Sequence, residues 1–215
     1  RVPVRIVELA AGQEVRRAPV DARTVPSVTA GDKTEVQGSR DLMRLVSESG
    51  NSSGWAFRLW NFDKHYQHLG DSGGAGVGYG APAAVGGALA NKKHGRLSVN
   101  IQGDGDFLYA PGVWWTAAHH KIPLLTVMHN NRGYHQEVMH IQRMANRHQR
   151  GVTRANIGTT IDSPNVDYAK IAQGMGVYAE GPIANARDLG PALQRALAVV
   201  KKGEPALVDV VTQPR

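Results

Sequence analysis

The sequence predicts an α/β protein: a doubly wound parallel sheet with helices on both faces. Three observations lead there. From residue 97 onward, short apolar runs alternate with stretches of helical period, which is the pattern of βαβ units. The runs, such as "LLTVMH" at 124–129 and "ALVDVV" at 206–211, are mostly apolar at successive positions, as strands covered on both faces require. Finally, 215 residues suffice for one sizeable core but not for two large domains and linkers.

Taken in order, residues 1–38 carry three prolines, mixed charge and a weak apolar period, and read as a linker or the tail of a preceding domain; residues 39–215 form the domain proper. Ser39 is placed to cap a helix through Val46, with Leu42, Leu45 and Val46 on one face. "SESGNSSG" (47–54) is a loop, and a mixed segment with Trp55 and Trp60 follows. In the glycine-dense stretch 70–90, Pro82 to Ala90 fits a closely packed helix with proline in its first turn. The alternation then runs strand 97–102, helix 107–119, strand 124–129, helix 135–149, helix 166–174, strand 177–179, helix 185–202 and strand 206–211.

Composition narrows the function classes. There is no long apolar run and no signal-peptide pattern, so no membrane span is expected and the cytoplasm is the default compartment. A chain without cysteine has neither disulfides nor thiolate metal sites. The formal charge of +7 is spread along the chain, and the basic stretch 142–150 has no interleaved aromatic for base stacking, so an anionic cofactor or an acidic partner is favoured over nucleic acid. The chain starts at Arg1, which suggests a piece of something longer.

In open α/β sheets, ligands sit beyond the carboxyl ends of the strands. Two predicted loops are polar there: "GDGD" (103–106) and "HNNRGY" (129–134). Asp104 and Asn131 stand 27 positions apart, separated by one helix and one strand, so neighbouring loops can bring both to one ion. A carboxylate oxygen, an amide oxygen and a backbone carbonyl make a hard donor set suited to Mg²⁺, with positions left for water and phosphate. Gly103 and Gly105 are expected to let the backbone turn and approach an anion.

"GDGDFLYAPGVWWTAAHHKIPLLTVMHNN" resembles the thiamine diphosphate-binding motif, which opens on Gly-Asp-Gly and closes on paired asparagines after a helix and a strand. "GGAGVGYGAPAAVGGALA" resembles the glycine-rich turn and helix preceding that motif in the acetolactate synthase and benzoylformate decarboxylase family. The resemblance covers residues 51–134 continuously and extends through "DSPNVDYAKIAQGMG" to the last strand.

It implies a thiamine diphosphate-binding fold in which Asp104, Asn131 and the Gly133 carbonyl hold Mg²⁺. Gly103, Gly105 and Asp106 would lie at the diphosphate, with Asn51 and Ser52 donating to the phosphates and Tyr134 following the metal loop. Ala75, Gly76 and Val77 would face the aminopyrimidine, Val77 propping the cofactor's bend. A second acid at Asp106 is costly beside a polyanion unless it is turned away or hydrogen-bonded. The implied reaction is decarboxylation of a small 2-oxo acid or its addition to an acceptor. The activating glutamate is expected from a pyrimidine-binding domain or subunit, in a homo- or hetero-oligomer. Glu137 lies past the metal loop, at the diphosphate end.

Rival readings are weighed beside these. A non-catalytic cofactor- or partner-binding domain is suggested by the missing glutamate. A nicotinamide-dependent reductase rests on "GVGYGA" (76–81), but that fingerprint needs a strand directly before it, and "HYQHLGDSG" is not one. His119, His120 and His129 are expected to be structural or at the surface; His135, just past the metal loop, is the histidine of interest. Trp114 and Trp115 read as packing residues. Arg143, Arg147, Arg150 and Arg154 read as a solvated or subunit-facing surface.

Overall fold

The computed structural model describes residues 62, 64, 66–69 and 76–212, with the backbone of 44–47. Its elements are β1 (Arg44–Ser47), α1 (Gly80–Lys92), β2 (Ser98–Gly103), α2 (Asp104–Phe107), α3 (Val113–His119), β3 (Leu124–Asn130), α4 (His135–Arg147), α5 (Tyr168–Gly174), β4 (Tyr178–Ile183), α6 (Ala186–Lys201) and β5 (Ala206–Val211). The five strands form one sheet in the order β1-β2-β3-β5-β4, and every neighbouring pair is parallel.

This order explains the two helix layers. From β1 to β3 the chain steps across the sheet in one direction; it then passes over one position to β4 and returns to β5. Right-handed crossovers put the helix of a return step on the opposite face from the others. Accordingly α1, α3 and α5 bury Ala84, Ala88, Trp114, Ala117, Ala169 and Ala172 against one face, while α6 lays Ala192, Ala196 and Val200 over the other. Small residues along α1 let it lie close to the sheet, as the run of alanine and glycine predicts. Two helices begin at side-chain caps: Asp167 accepts from the Lys170 amide at 2.9 Å, and Asn185 from that of Arg187 at 3.0 Å.

Several expectations are corrected. The helix expected over 39–46 is not formed at its second half: Arg44–Ser47 is the edge strand β1, with Leu45 paired to Val99. Eight residues are too few for apolar spacing to separate a helix from a strand, and an open sheet edge decides it. The helix expected over 107–119 is formed only from Val113 to His119, as α3; a separate turn, α2, ends at Phe107, and Pro111 and Gly112 stand just before α3. β4 is longer than expected, running on to Ile183 through a register shift between Glu180 and Ile183. Trp114 is fully buried as expected, but Trp115 is 58% exposed and stacks on His119 instead of packing in the core. The 1–38 linker, Asn51, Ser52, Ala75, Trp55 and Trp60 lie outside the described residues. No helix of the described residues is long and apolar enough to cross a membrane.

Candidate functional site

The site begins where β2 ends. Gly103 pairs with His129, and its extended backbone (φ −72°, ψ 141°) leads straight into the single helical turn of α2. That turn is anchored from below. Phe107 is fully buried, stacked on Trp114 at 6.0 Å and meeting Tyr168 edge-on at 5.6 Å. Asp104, the first residue of α2, is 2% exposed.

Its carboxylate is tied to the next strand's loop. Oδ1 accepts from the Gly105 amide at 2.9 Å and Oδ2 from the Arg132 amide at 2.6 Å. Asn131, beside it in that loop, accepts from the Gly133 amide through Oδ1 at 3.1 Å. Burial outweighs the amides of Gly105, Arg132 and Gly133 that favour the ionised form, and pushes the Asp104 carboxyl up to about 6. A cation beside such a buried carboxylate would favour its ionised form. Among the described residues no three His, Cys, Asp or Glu side chains cluster as metal ligands. One carboxylate, one amide oxygen and a main-chain carbonyl fit a hard ion that keeps water and phosphate in its other positions.

A segment that the sequence did not point to holds this loop in shape. Ile161 N donates to Arg132 O at 2.8 Å and Tyr134 N to Thr159 O at 2.7 Å, an antiparallel clamp around Gly133. These bonds leave the Gly133 carbonyl out of the clamp. A Cβ on Gly133 would stand 2.8 Å from the Thr159 carbonyl, so glycine is required by close approach. The left-handed residue of the loop is Arg132, at φ 61°.

Glycine at 105 is required by a close contact and not by a left-handed backbone. Neither Gly103 nor Gly105 has a positive φ; a Cβ at Gly105 would instead overlap the Tyr134 ring. Tyr134 lies across Gly105, donates from its hydroxyl to the Gly105 carbonyl at 3.3 Å, and meets Tyr109 edge-on at 6.5 Å. Burial, reinforced by Tyr109, raises the Tyr134 phenol above its ordinary range.

The third wall is the glycine-rich turn. Gly78, at φ 96°, has room only for hydrogen, since a Cβ there would lie 2.7 Å from that of Tyr109. Val77 is 45% exposed at its apex, with Gly76 also exposed. The Gly78 amide donates to Asp106 Oδ1, and Gln102 Nε2 donates to Asp106 Oδ2. The second acid is therefore hydrogen-bonded inward on both oxygens. The turn 76–78, α2 and the 131–134 loop thus form one place at the carboxyl end of the sheet. His135 is half-buried at the start of α4, and Glu137 is exposed in its first turn. The arginines at 143, 147, 150 and 154 are all exposed.

A parallel sheet with a buried aspartate and an asparagine loop at adjacent strand tips, faced by a glycine-rich turn, defines a diphosphate-binding α/β domain. The chain belongs to the family described as thiamine pyrophosphate enzyme, C-terminal TPP binding domain, which it matches over residues 48–210. It is 30% identical over 201 residues to "Putative acetolactate synthase large subunit IlvX" of Mycobacterium tuberculosis, covering 90% of this chain and 38% of that protein. It is 34% identical over 138 residues to benzoylformate decarboxylase of Pseudomonas aeruginosa, covering 64% of this chain and 23% of that protein. Among solved structures it is similar to the thiamine diphosphate-dependent 4-hydroxybenzoylformate decarboxylase of Rhodococcus jostii, with a TM-score of 0.68 and 26% identity over 82% of this chain and 31% of that one. The chain therefore spans well under half the length of these relatives.

Proposed function

We propose that this chain supplies the diphosphate and Mg²⁺ half of a thiamine diphosphate-dependent decarboxylase or carboligase acting on a small 2-oxo acid. The observation that carries the reading is the 2.6 Å bond from the Arg132 amide to Asp104, which holds the aspartate against the asparagine loop. Asp104, the Asn131 side chain and the Gly133 carbonyl would hold the metal. Gly103 and Gly105, with Asn51 and Ser52, would bind the diphosphate. Ala75, Gly76 and Val77 would meet the aminopyrimidine, and Tyr134 would close the metal loop.

When bound, the cofactor would supply a nucleophilic carbon and an electron sink for decarboxylation of a 2-oxo acid. The chain's own residues bind and orient. The buried Asp104 carboxylate gives the metal a charged anchor, and the clamp of 159–161 keeps Asn131 and Gly133 in place. Exposed Val77 offers an apolar support next to the ring position. The proton relay that starts catalysis is assigned to a glutamate of a pyrimidine-binding domain or subunit, so activity requires that partner.

Thermal unfolding of the full chain with millimolar thiamine diphosphate and Mg²⁺ tests this. Binding at a hundredfold excess over Kd stabilises by about 2.7 kcal/mol, and Asp104→Ala is expected to remove that gain. No shift in the unaltered chain at millimolar cofactor would sink the reading. Native mass measurement of the purified protein tests the partner: a glutamate-bearing pyrimidine-binding domain or subunit is expected with it.

A further inference from the structure

We propose that Asp106 is a positioning residue that locks the glycine-rich turn to the tip of β2, fixing the distance between the pyrimidine-facing and diphosphate-facing halves of the site. The inference rests on the cofactor reading above and extends it to a carboxylate given no such role there.

A directional chain of hydrogen bonds carries it. Asn100 Nδ2 donates to Gln102 Oε1 at 3.0 Å, and Gln102 Nε2 donates to Asp106 Oδ2 and, at 3.3 Å, to the Gly103 carbonyl. From the other side the Gly78 amide donates to Asp106 Oδ1. Asn100 and Gln102 are fully buried and Asp106 is 8% exposed, so these bonds have little competition from water. A carboxylate only accepts, which fixes the sense of the chain: donors converge on Asp106 from β2 and from the turn. Both oxygens are directed to these donors.

The turn is held on its other side as well. Gly78 presses against the Cβ of Tyr109, three residues beyond Asp106, and neither its positive φ nor its space admits a side chain. The residue next to Val77 is thus held between a carboxylate and a tyrosine, both carried by the segment that follows Asp104. Moving α2 moves the turn with it.

Calorimetric titration of the full chain with two ligands tests this, each in the presence of Mg²⁺: thiamine diphosphate, which spans both halves, and inorganic pyrophosphate, which reaches only one. Asp106→Ala removes charge-assisted bonds, so thiamine diphosphate affinity is expected to fall about tenfold or more while pyrophosphate affinity stays within about twofold. Asp106→Asn keeps one acceptor and lies between. Adding Gln102→Glu to it rebuilds the chain with reversed polarity, apart from the bond to the Gly103 carbonyl: the introduced carboxylate accepts from Asn100 and from the new amide, whose own oxygen still accepts from Gly78. Recovery of thiamine diphosphate affinity in that double variant is expected, and it keeps the test decisive if Asp106→Ala does not fold. An equal loss for both ligands, or a loss for neither, overturns the positioning role while leaving the cofactor reading intact. An unaltered chain that binds neither ligand overturns both.

Discussion

The two faces of the same sheet are built from different chemistry. Under α6, β2, β3 and β5 present Val99, Ile101, Leu125, Val127, Ala206, Val208 and Val210, an ordinary apolar layer. Under α1, α3 and α5 the alternate residues of those strands are Ser98, Asn100, Gln102, Thr126, Asn130 and Asp209, set among Leu124, Met128 and Leu207, and all six are buried. A polar seam therefore runs along one face towards the strand tips. Its members reach the site's frame: Gln102 bonds Asp106, and Asp209 accepts from Asn130, the residue before the 131–134 loop, at 3.0 Å. One face supplies cohesion, while the other gives up some cohesion for polar groups that aim the loops.

The comparison is broken most directly on the apolar face. Leu125 is 8% exposed and packs with the α6 layer, so Leu125→Ala is expected to cost about 2–5 kcal/mol in denaturant unfolding. Mg²⁺–pyrophosphate affinity, measured where the variant stays folded, should be unchanged. A fall in affinity comparable to the loss of stability would mean that the faces do not divide their work.

On the polar face the largest effect is one of pH. With Asp104 at about 6 in the folded chain against 3.8 as its ordinary value, the folded state holds a proton between those values that the unfolded state has released. Stability of the metal-free protein therefore rises as pH falls through 6 towards 4, by at most about 3 kcal/mol. Burial raises Asp209 as well, which adds in the same sense. Asp104→Asn carries no titrating proton and should flatten most of the slope in urea titrations between pH 7.5 and about 5. Mg²⁺ opposes the proton, so its affinity should fall over the same interval. A slope unaltered by Asp104→Asn would place the titration elsewhere.

Much of this is legible in the sequence, and what is not has a common cause. Runs such as 97–102 and 206–211 announce strands because apolar residues recur along them between helical stretches, and the spacing of Asp104 from Asn131 brings their two loops together. Within those runs Asn100, Gln102, Thr126 and Asp209 read only as tolerated exceptions, because the face a strand residue joins depends on partners far along the chain. The glycines show the same limit. Gly105 and Gly133 stand in a motif that suggests turning, yet the Tyr134 ring and the Thr159 carbonyl are what exclude a side chain, and neither is visible before the chain is folded. β1 reads as part of a helix because its pairing with β2 lies in the sheet and not in its own four residues.

The Gly105 contact sharpens the comparison at the tip of the polar face. Gly105→Ala forces the Tyr134 ring away from its seat, an overpacking expected to cost about 1–3 kcal/mol. In a Tyr134→Leu background most of that cost should vanish, since a shorter side chain leaves the space open. Additive penalties in the two-residue cycle would show that the ring is not what the glycine accommodates.

The smallest effect asks whether every polar group in the seam is needed. Thr126 is fully buried on β3, facing Asn100 across the β2–β3 register, and its hydroxyl has no hydrogen-bond partner. Asn100 and Asp209 each keep one hydrogen bond although Asn100 Oδ1 and Asp209 Oδ2 have none, whereas this hydroxyl carries a desolvation cost with nothing in return. Thr126→Val keeps the shape of the side chain and removes the unsatisfied group, so it is expected to raise stability by about 1 kcal/mol and leave thiamine diphosphate affinity unchanged. Destabilisation by a similar amount would mean that the hydroxyl is satisfied through water, and that the seam is continuous from β2 across β3 to Asp209 on β5.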